Sequence, residues 1–175
     1  MEMKSLKKGK VALRAAEPGD VDLIYAWENN IENWLVSNTI APYNREQIKD
    51  FIANSNDLFV ARQLRLMIEC DGCEQPVGCI DLYDFDPKNH RIGVGVLIDT
   101  DHRGNGYAGD ALELAVDYCF DVLDVHCVYA EIIENNQSSV RLFEKLHFER
   151  TGVRCEWFWD GENYLNQYIY QRLRR

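Results

Sequence analysis

No stretch of this sequence is long and apolar enough to cross a bilayer, and Met1 to Lys10 lacks the apolar centre of a secretory leader. A soluble, cytoplasmic protein with no membrane partner is therefore expected. Basic residues are scarce: 19 Lys and Arg stand against 29 Asp and Glu, for a net charge of −10 and a pI near 4.8. That balance argues against nucleic acid as a partner, because phosphates need a basic footprint, and it favours cationic ones. Linkers and internal repeats are absent too, so residues 1–175 read as one domain. With 46% apolar residues the chain can bury one sizeable core. The six cysteines lack the second pair that a zinc site requires. Cys70-x-x-Cys73 and Cys79 form an incomplete set, and His90 and His102 are not at finger spacing. No metal is expected, and the cysteines read as reduced core or surface thiols.

The segment Arg91 to Leu123 carries the strongest positive signal. A glycine-broken apolar strand runs into Arg103-Gly104-Asn105-Gly106-Tyr107-Ala108. Apolar residues then recur at Ala108, Ala111, Leu112, Ala115, Val116, Cys119, Phe120 and Leu123, the spacing of an amphipathic helix that begins near Gly106. The first amides of such a helix have no intrahelical partner and carry the positive end of the helix dipole. Glycines let the backbone approach a bulky anion, and Arg103 adds a formal charge, so the loop reads as a pyrophosphate pocket. A nucleotide P-loop is excluded because no Lys-Ser/Thr pair follows the last glycine. The dinucleotide fingerprint G-x-G-x-x-G matches at Gly104, Gly106 and Gly109, but it should start at the strand end, and Asp99 to Arg103 intervene.

A third reading is a family resemblance. Arg103-x-x-Gly106-x-Ala108 at a strand-to-helix junction resembles the acetyl-CoA signature of the GCN5-related N-acetyltransferases (GNAT). Asn136-Gln137-Ser138-Ser139-Val140-Arg141-Leu142-Phe143-Glu144-Lys145-Leu146-His147-Phe148 is similar to the second motif of that family, and Leu13-Arg14 with Asp20 to its opening strand and helix. The resemblance implies an α/β acyl-CoA N-acyltransferase fold, a mixed sheet of six to seven strands flanked by about four helices. It implies acetyl-CoA as cofactor, held by the backbone at Val96, Leu97 and Ile98, by Arg103, Gly104, Asn105, Gly106, Tyr107 and Ala108, and by Asn136, Ser139, Phe143 and Lys145. Asn136 also reads as the N-cap of its helix.

The chain departs from the family where proton transfer is usual. Gly93 stands where many members have a glutamate, and Phe143 where many have a tyrosine. A bulge or the close approach of another backbone is the usual cause of glycines such as Gly93 and Gly95 inside a strand, and room for a neighbouring side chain is the other reading. Ser139, one turn before Phe143, is the candidate hydrogen-bond donor to the leaving sulfur. Asp81, Asp84 and Glu156 are candidates for base or amine ligand. Tyr164, Tyr168 and Tyr170 are either core residues or a replacement phenol. His147 takes a helix-ending position usually given to glycine, as a structural departure.

Elsewhere, strands are expected at Lys10 to Ala15, Leu58 to Arg62, Arg65 to Cys70, Val77 to Phe85, Arg91 to Ile98, His126 to Glu134, Phe148 to Trp159 and Tyr164 to Leu173. Helices are expected after Pro18, over Arg45 to Ala53 and over Asn136 to Leu146. Hairpins followed by a βαβ unit indicate a three-layer α/β domain. Trp27 to Tyr43 and Cys155 to Asn166 are irregular, acidic and aromatic, and are assigned to acceptor choice. Within the second, Glu156 to Tyr164 resembles the closing region of bacterial spermidine/spermine and ribosomal-protein N-acetyltransferases. Aromatics beside carboxylates hold alkylammonium groups, so a small-molecule amine, a polyamine or diamine such as spermidine, is the leading acceptor. Protein N-termini and aminoglycosides come next, and a non-catalytic acyl-CoA-binding module is the reading from outside enzymes. Exposed aromatics also suit a homo-oligomer interface.

Overall fold

The computed structural model describes residues 6–37, 39–54 and 57–175, so half of the Met1 to Lys10 segment lies outside the described residues. Strand β1 (Lys7–Lys8) turns at Gly9, φ 56°, into β2 (Val11–Ala15). A 3₁₀ turn at Pro18–Asp20 opens helix α1 (Val21–Glu28), followed by α2 (Ile31–Ser37), α3 (Arg45–Asn54) and α4 (Leu58–Ala61). Strands β3 (Leu64–Cys70), β4 (Gly78–Asp86) and β5 (Arg91–Ile98) come next. Helix α5 (Tyr107–Asp121), β6 (Cys127–Ile133), α6 (Gln137–Lys145), β7 (Glu149–Trp159) and β8 (Tyr164–Leu173) complete the chain. These eight strands form one sheet in the order β1-β2-β3-β4-β5-β6-β8-β7, in which β5 and β6 are the one parallel pair among the described residues.

Three expectations are corrected. Among the described residues the sheet has eight strands, not six to seven, and six α-helices accompany it, not about four. The apolar run from Leu58 is helix α4 and not a strand, because Asp57 caps it by accepting from the amides of Phe59 and Val60 at 3.0 and 3.2 Å. A run this short has no readable period, so the cap decides its form. Within Trp27 to Tyr43, helix α2 is regular: Asn33 Nδ2 and Trp34 Nε1 donate to the carbonyls of Trp27 and Glu28 at 3.1 and 2.8 Å, tying it to the end of α1. Asn38 of that segment lies outside the described residues.

The sheet separates two cores, as a three-layer domain requires. On one face Ala111, Leu112, Ala115, Val116 and Cys119 of α5 pack with Ile68, Ile80, Ile92 and Val128. On the other, Ile24 and Trp27 of α1 and Ile48 and Ile52 of α3 pack against Met67 and Cys79. Burial of each large side chain contributes about 1.5–3 kcal/mol. No helix among the described residues is long and apolar enough to cross a membrane.

The strand pairing opens where β5 meets β6. Their register runs through Arg91↔Cys127, Ile92↔Val128 and Gly93↔Tyr129 and stops there, while β5 stays zipped to β4 through Gly78↔Ile98. Gly93 also faces Tyr83 across the β4 pairing. The rings of Tyr83 and Tyr129 meet edge to face, centroids 5.9 Å apart, and a Cβ on Gly93 would lie 2.3 Å from Tyr83 Cε2. Gly93 is therefore the room that this aromatic pair needs at the vertex of the opening.

Two outcomes follow from these contacts. Gly93→Ala is expected to lower stability by about 1–3 kcal/mol through overpacking, with part of the loss recovered when Tyr83→Leu is added; equilibrium urea unfolding measures both. Near the N-terminus, Arg14 Nη1 and Nη2 donate to the buried Asp20 carboxylate at 2.7 and 2.9 Å, and this contact holds the Asp20 carboxyl below the usual range. A depressed carboxyl stabilises the fold above its unfolded pKa, and that contribution is lost as pH falls through the folded value. The parent should thus lose stability more steeply than Asp20→Asn below about pH 4, and Asp20→Asn should be weaker by roughly 1–3 kcal/mol at neutral pH.

Candidate active site

After β5 the chain makes a 3₁₀ turn at Thr100–His102 and enters the glycine loop. Arg103 Nε donates to the carbonyl of Ile98 at 3.1 Å, and Asn105 Nδ2 to those of His102 and Arg103 at 3.0 and 3.3 Å, so the loop is held on both sides. Gly104 and Gly106 are left-handed, φ 80° and 83°, a conformation that side chains with a Cβ resist. Gly106 caps α5. The amides of Gly109 and Asp110 are the first to donate to its carbonyl, at 3.1 and 3.4 Å, which leaves those of Tyr107 and Ala108 at the open end of the helix. A Cβ at Gly104 or Gly106 would meet nothing within 4 Å, so the space above the loop is free for a bulky anion. Asp110 and Glu113 also line this end; Glu113 is engaged by the Lys8 ammonium, which holds its carboxyl below the usual range.

A groove of about 1050 Å³ runs from this loop into the gap between β5 and β6. Its walls are Val94 to Ile98 on one strand, Ala130 to Ile133 on the other, and Asn136, Ser139, Phe143 and Lys145 beside α6. The backbone of β5 here has its β4 edge paired and its β6 edge open. A second cavity of about 1010 Å³ shares Glu28, Arg65, Asp81, Val94, Gly95, Glu131 and Ile133 with the first and continues to Tyr43, Phe51, Trp157 and Trp159. The two cavities meet at the vertex, where a Cβ on Gly95 would again meet nothing within 4 Å.

An arginine organises the meeting point. Arg65 Nε and Nη2 donate to both oxygens of Asp81 at 2.6 and 2.8 Å, and Nη1 donates to Glu28 Oε1 at 2.5 Å, with the guanidinium 5.1 Å from the Phe51 ring centre. Burial opposes the charge of Arg65, but Asp81 and Glu28 outweigh it and keep the guanidinium protonated. Beneath them burial pushes the Cys79 thiol up to about 12, so it is inert. Glu131 accepts from Arg154 Nη1 at 2.7 Å. Burial likewise raises the Tyr83 phenol far above its ordinary value, and burial with Asp84 nearby raises that of Tyr129 to about 12. Both stay neutral near pH 7.

The sequence-derived candidates fall into two groups. The whole cofactor set, Val96 to Ile98, Arg103 to Ala108, Asn136, Ser139, Phe143 and Lys145, lines the first cavity, and Asp81 lines both. Asn136 caps α6, its Oδ1 accepting from the Ser139 amide at 3.2 Å, and reaches the groove as well. Phe143 packs edge to face on Phe148, centroids 4.9 Å apart. Asp84 and Glu156 line neither cavity. Each has φ 50° at a strand irregularity, where the pairing shifts register.

The tyrosine alternatives also stand apart. Tyr164 is exposed against Trp159, Tyr168 lies under Arg150, and Tyr170 is buried with its hydroxyl donating to Glu144 at 2.9 Å. None of the three lines either of the two cavities that meet at the vertex. His147 ends α6 at φ 62°, and Phe148 N–H closes the turn onto Phe143 at 3.0 Å, the structural role expected of it. Glu28, Arg65 and Glu131 were absent from the candidates. Their signal was a charge set in an apolar element, as in Leu64-Arg65-Leu66 or Ala130-Glu131-Ile132. Among the described residues no group of three or more His, Cys, Asp or Glu can hold a metal.

Gly106→Val should strain a left-handed residue and fill the space above the loop, weakening binding of coenzyme A by more than about tenfold. Calorimetric titration measures this, and circular dichroism checks that the fold is kept.

The sequence profile of the acetyltransferase (GNAT) domain matches residues 10–149. The spermidine N(1)-acetyltransferase of Escherichia coli K12 is 25% identical over 161 residues, covering 89% of this chain and 82% of the relative. An uncharacterized N-acetyltransferase, p20 of Bacillus licheniformis, is 24% identical over 174 residues, 99% of this chain and 98% of the relative. Among solved structures, spermidine N-acetyltransferase from Vibrio cholerae in complex with CoA and spermine superposes with a TM-score of 0.85 at 21% identity, over 95% of this chain and 96% of that one. With a family profile spanning the splayed strands, the glycine loop and α6, the chain belongs to the GNAT acetyltransferase family, enzymes whose cosubstrate is acetyl-CoA.

Proposed function

We propose that this enzyme acetylates a primary amine of a polyamine or diamine. The observation that carries the reading is the pair of carboxylates, Glu28 and Asp81, fixed by one arginine where the two cavities meet and facing an outer cavity walled by Tyr43, Phe51, Trp157 and Trp159. Carboxylates beside aromatic faces suit an alkylammonium chain. The spermidine acetyltransferases among the relatives support the same class.

Bound acetyl-CoA supplies an activated acetyl thioester. The residues of this chain account for binding and for proton movement. The amides of Tyr107 and Ala108, with Arg103, face the pyrophosphate. The open edge of Val96 to Ile98 offers backbone groups to the pantetheine amides. Asp81 and Glu28 draw the ammonium group to the open space at Gly95, and the nucleophile is the amine after it has lost a proton toward Asp81 or water. Ser139, on the groove wall beside Phe143, would give a hydrogen bond to the sulfur of bound acetyl-CoA. Glu156 has no part in this scheme because it lines neither cavity. Positioning supplies most of the rate, which is why the missing strand glutamate is tolerated. Exposed Trp157, Trp159 and Tyr164, each more than half exposed, suit a subunit contact at the outer mouth.

The test is release of the CoA thiol from acetyl-CoA with spermidine, spermine, small diamines, aminoglycosides and short peptides. Saturable release with polyamines or diamines alone is expected. Release with peptides or aminoglycosides alone, or silence despite CoA binding, would sink the polyamine reading. Asp81→Asn should lower kcat/KM for the amine by roughly tenfold to a hundredfold with the KM for acetyl-CoA unchanged.

A further inference from the structure

One motif takes no part in the groove. Cys70-Asp71-Gly72-Cys73 forms the turn that leaves β3: Cys73 N–H donates to the Cys70 carbonyl at 3.0 Å, and Gly72 has φ 90°. A turn closed in this way keeps its first and fourth Cα atoms within about 7 Å, inside the range that a disulfide spans. Cys73 and Tyr107 both pack against the apolar cluster that buries Cys70, and hydrogen bonding to the two thiols holds the Tyr107 phenol up to about 12. Cys70 is buried in the larger core and Cys73 is half-buried at its margin, so a soluble reagent meets Cys73 first. Tyr107 is the first residue of α5, beside the Gly106 cap, and it lines the cofactor groove. A thiol pair thus touches the helix turn that receives the pyrophosphate.

We propose that Cys70 and Cys73 form a reversible disulfide by exchange with glutathione disulfide, and that closing it weakens CoA binding at the start of α5. The Cys73 thiolate attacks one sulfur of glutathione disulfide, breaking its S–S bond and releasing one glutathione thiolate. The Cys70 thiolate then attacks Cys73 Sγ in the mixed disulfide, forming the intramolecular bond and releasing the second glutathione. The two protons shed by the cysteines pass through water to the two glutathione thiolates. Two electrons move from the protein to the reagent, so the protein is oxidised and glutathione disulfide reduced. Closure takes away the two thiols onto which the Tyr107 hydroxyl donates and loosens the first turn of the helix. The hydrogen bond that the Cys73 thiol gives to Cys70 raises it above its ordinary value, so exchange quickens as pH rises.

The full chain is incubated with glutathione disulfide at mildly alkaline pH, and CoA binding is followed by calorimetry. The expected product has lost two hydrogens by intact mass, with the bond mapped to residues 70 and 73. Its CoA dissociation constant rises about threefold to tenfold and returns with dithiothreitol. Cys73→Ser should form no internal bond and keep its affinity under oxidation. Tyr107→Phe should start weaker and change no further. A mixed disulfide confined to the exposed Cys155 overturns the proposal. So does an internal bond that leaves the CoA constant unchanged, or one whose effect accompanies a collapsed melting transition. The mass measurement needs neither cofactor nor acceptor, so its outcome is separate from that of the polyamine reading.

Discussion

The separation of β5 from β6 after Gly93 is the constraint on which the rest of the site depends. A parallel pair inside a sheet normally satisfies the backbone along its whole length, and an unpaired buried N–H or C=O is costly. Here the pairing ends after three residue pairs, and Val94 to Ile98 keep one edge open to the groove. Tyr83 and Tyr129 keep the vertex in place. They flank Gly93 in the two adjoining pairings and fill the space above it with an edge-to-face contact. The strand can therefore neither close on β6 nor drift from β4, and its open edge remains available to an amide-bearing ligand. Helix α5 begins in the same wall of the groove, so a fixed spacing links the open edge to the free amides of Tyr107 and Ala108.

Electrostatics divides the groove into two ends. At the loop the free amides, Arg103 and Lys145 supply positive potential, and Lys8 neutralises the nearby Glu113. At the vertex the same problem is solved with the sign reversed. Glu28 and Asp81 are largely withdrawn from water, and Arg65 makes that tolerable by meeting both with a single planar group. Lysine could not form this fork. The three groups keep an excess of one negative charge, and Glu131, matched by Arg154, adds no further imbalance. The overall −10 of the chain gives long-range attraction for cations, whereas the local arrangement at Arg65 decides where a cation comes to rest on the proposed reading.

The parts of this design that repeat or carry a motif were legible in the sequence. The helix after Gly106 follows from eight apolar residues at helical spacing, and the loop before it from its glycines. The family resemblance supplied the open edge at Val96 to Ile98. Features set by pairing across the sheet were not legible. Nothing local distinguishes Arg65 from a surface arginine, because its partners Glu28 and Asp81 are far apart in sequence and meet through β3, β4 and the end of α1. Glu156 and Asp84 failed as groove candidates for a related reason. Alternation assigns a side chain to a face only while the strand is regular, and both sit where register slips and φ turns positive. Helix α4 was misread because four apolar residues carry no period, and the information lay in the single cap at Asp57.

The two departures from the usual family residues have different physical meanings. At Gly93 no side chain is possible without displacing Tyr83, so the strand position cannot regain a glutamate unless the aromatic vertex is rebuilt as well. On the proposed reading a carboxylate near the acceptor comes from the neighbouring strand, and Asp81 of β4, paired with the open position Gly95 of β5, has that place. At position 143 the phenylalanine is committed to Phe148 and the core while still facing the groove. Exchange for tyrosine would add a hydroxyl without disturbing that stack only if the oxygen pointed into the groove. Ser139, one helical turn earlier on the same wall, provides a hydroxyl with no such demand. On the proposed reading, proton handling in this chain is thus displaced by one strand on the acceptor side and by one helical turn on the sulfur side, while the open strand edge and the glycine loop stay where the family pattern puts them.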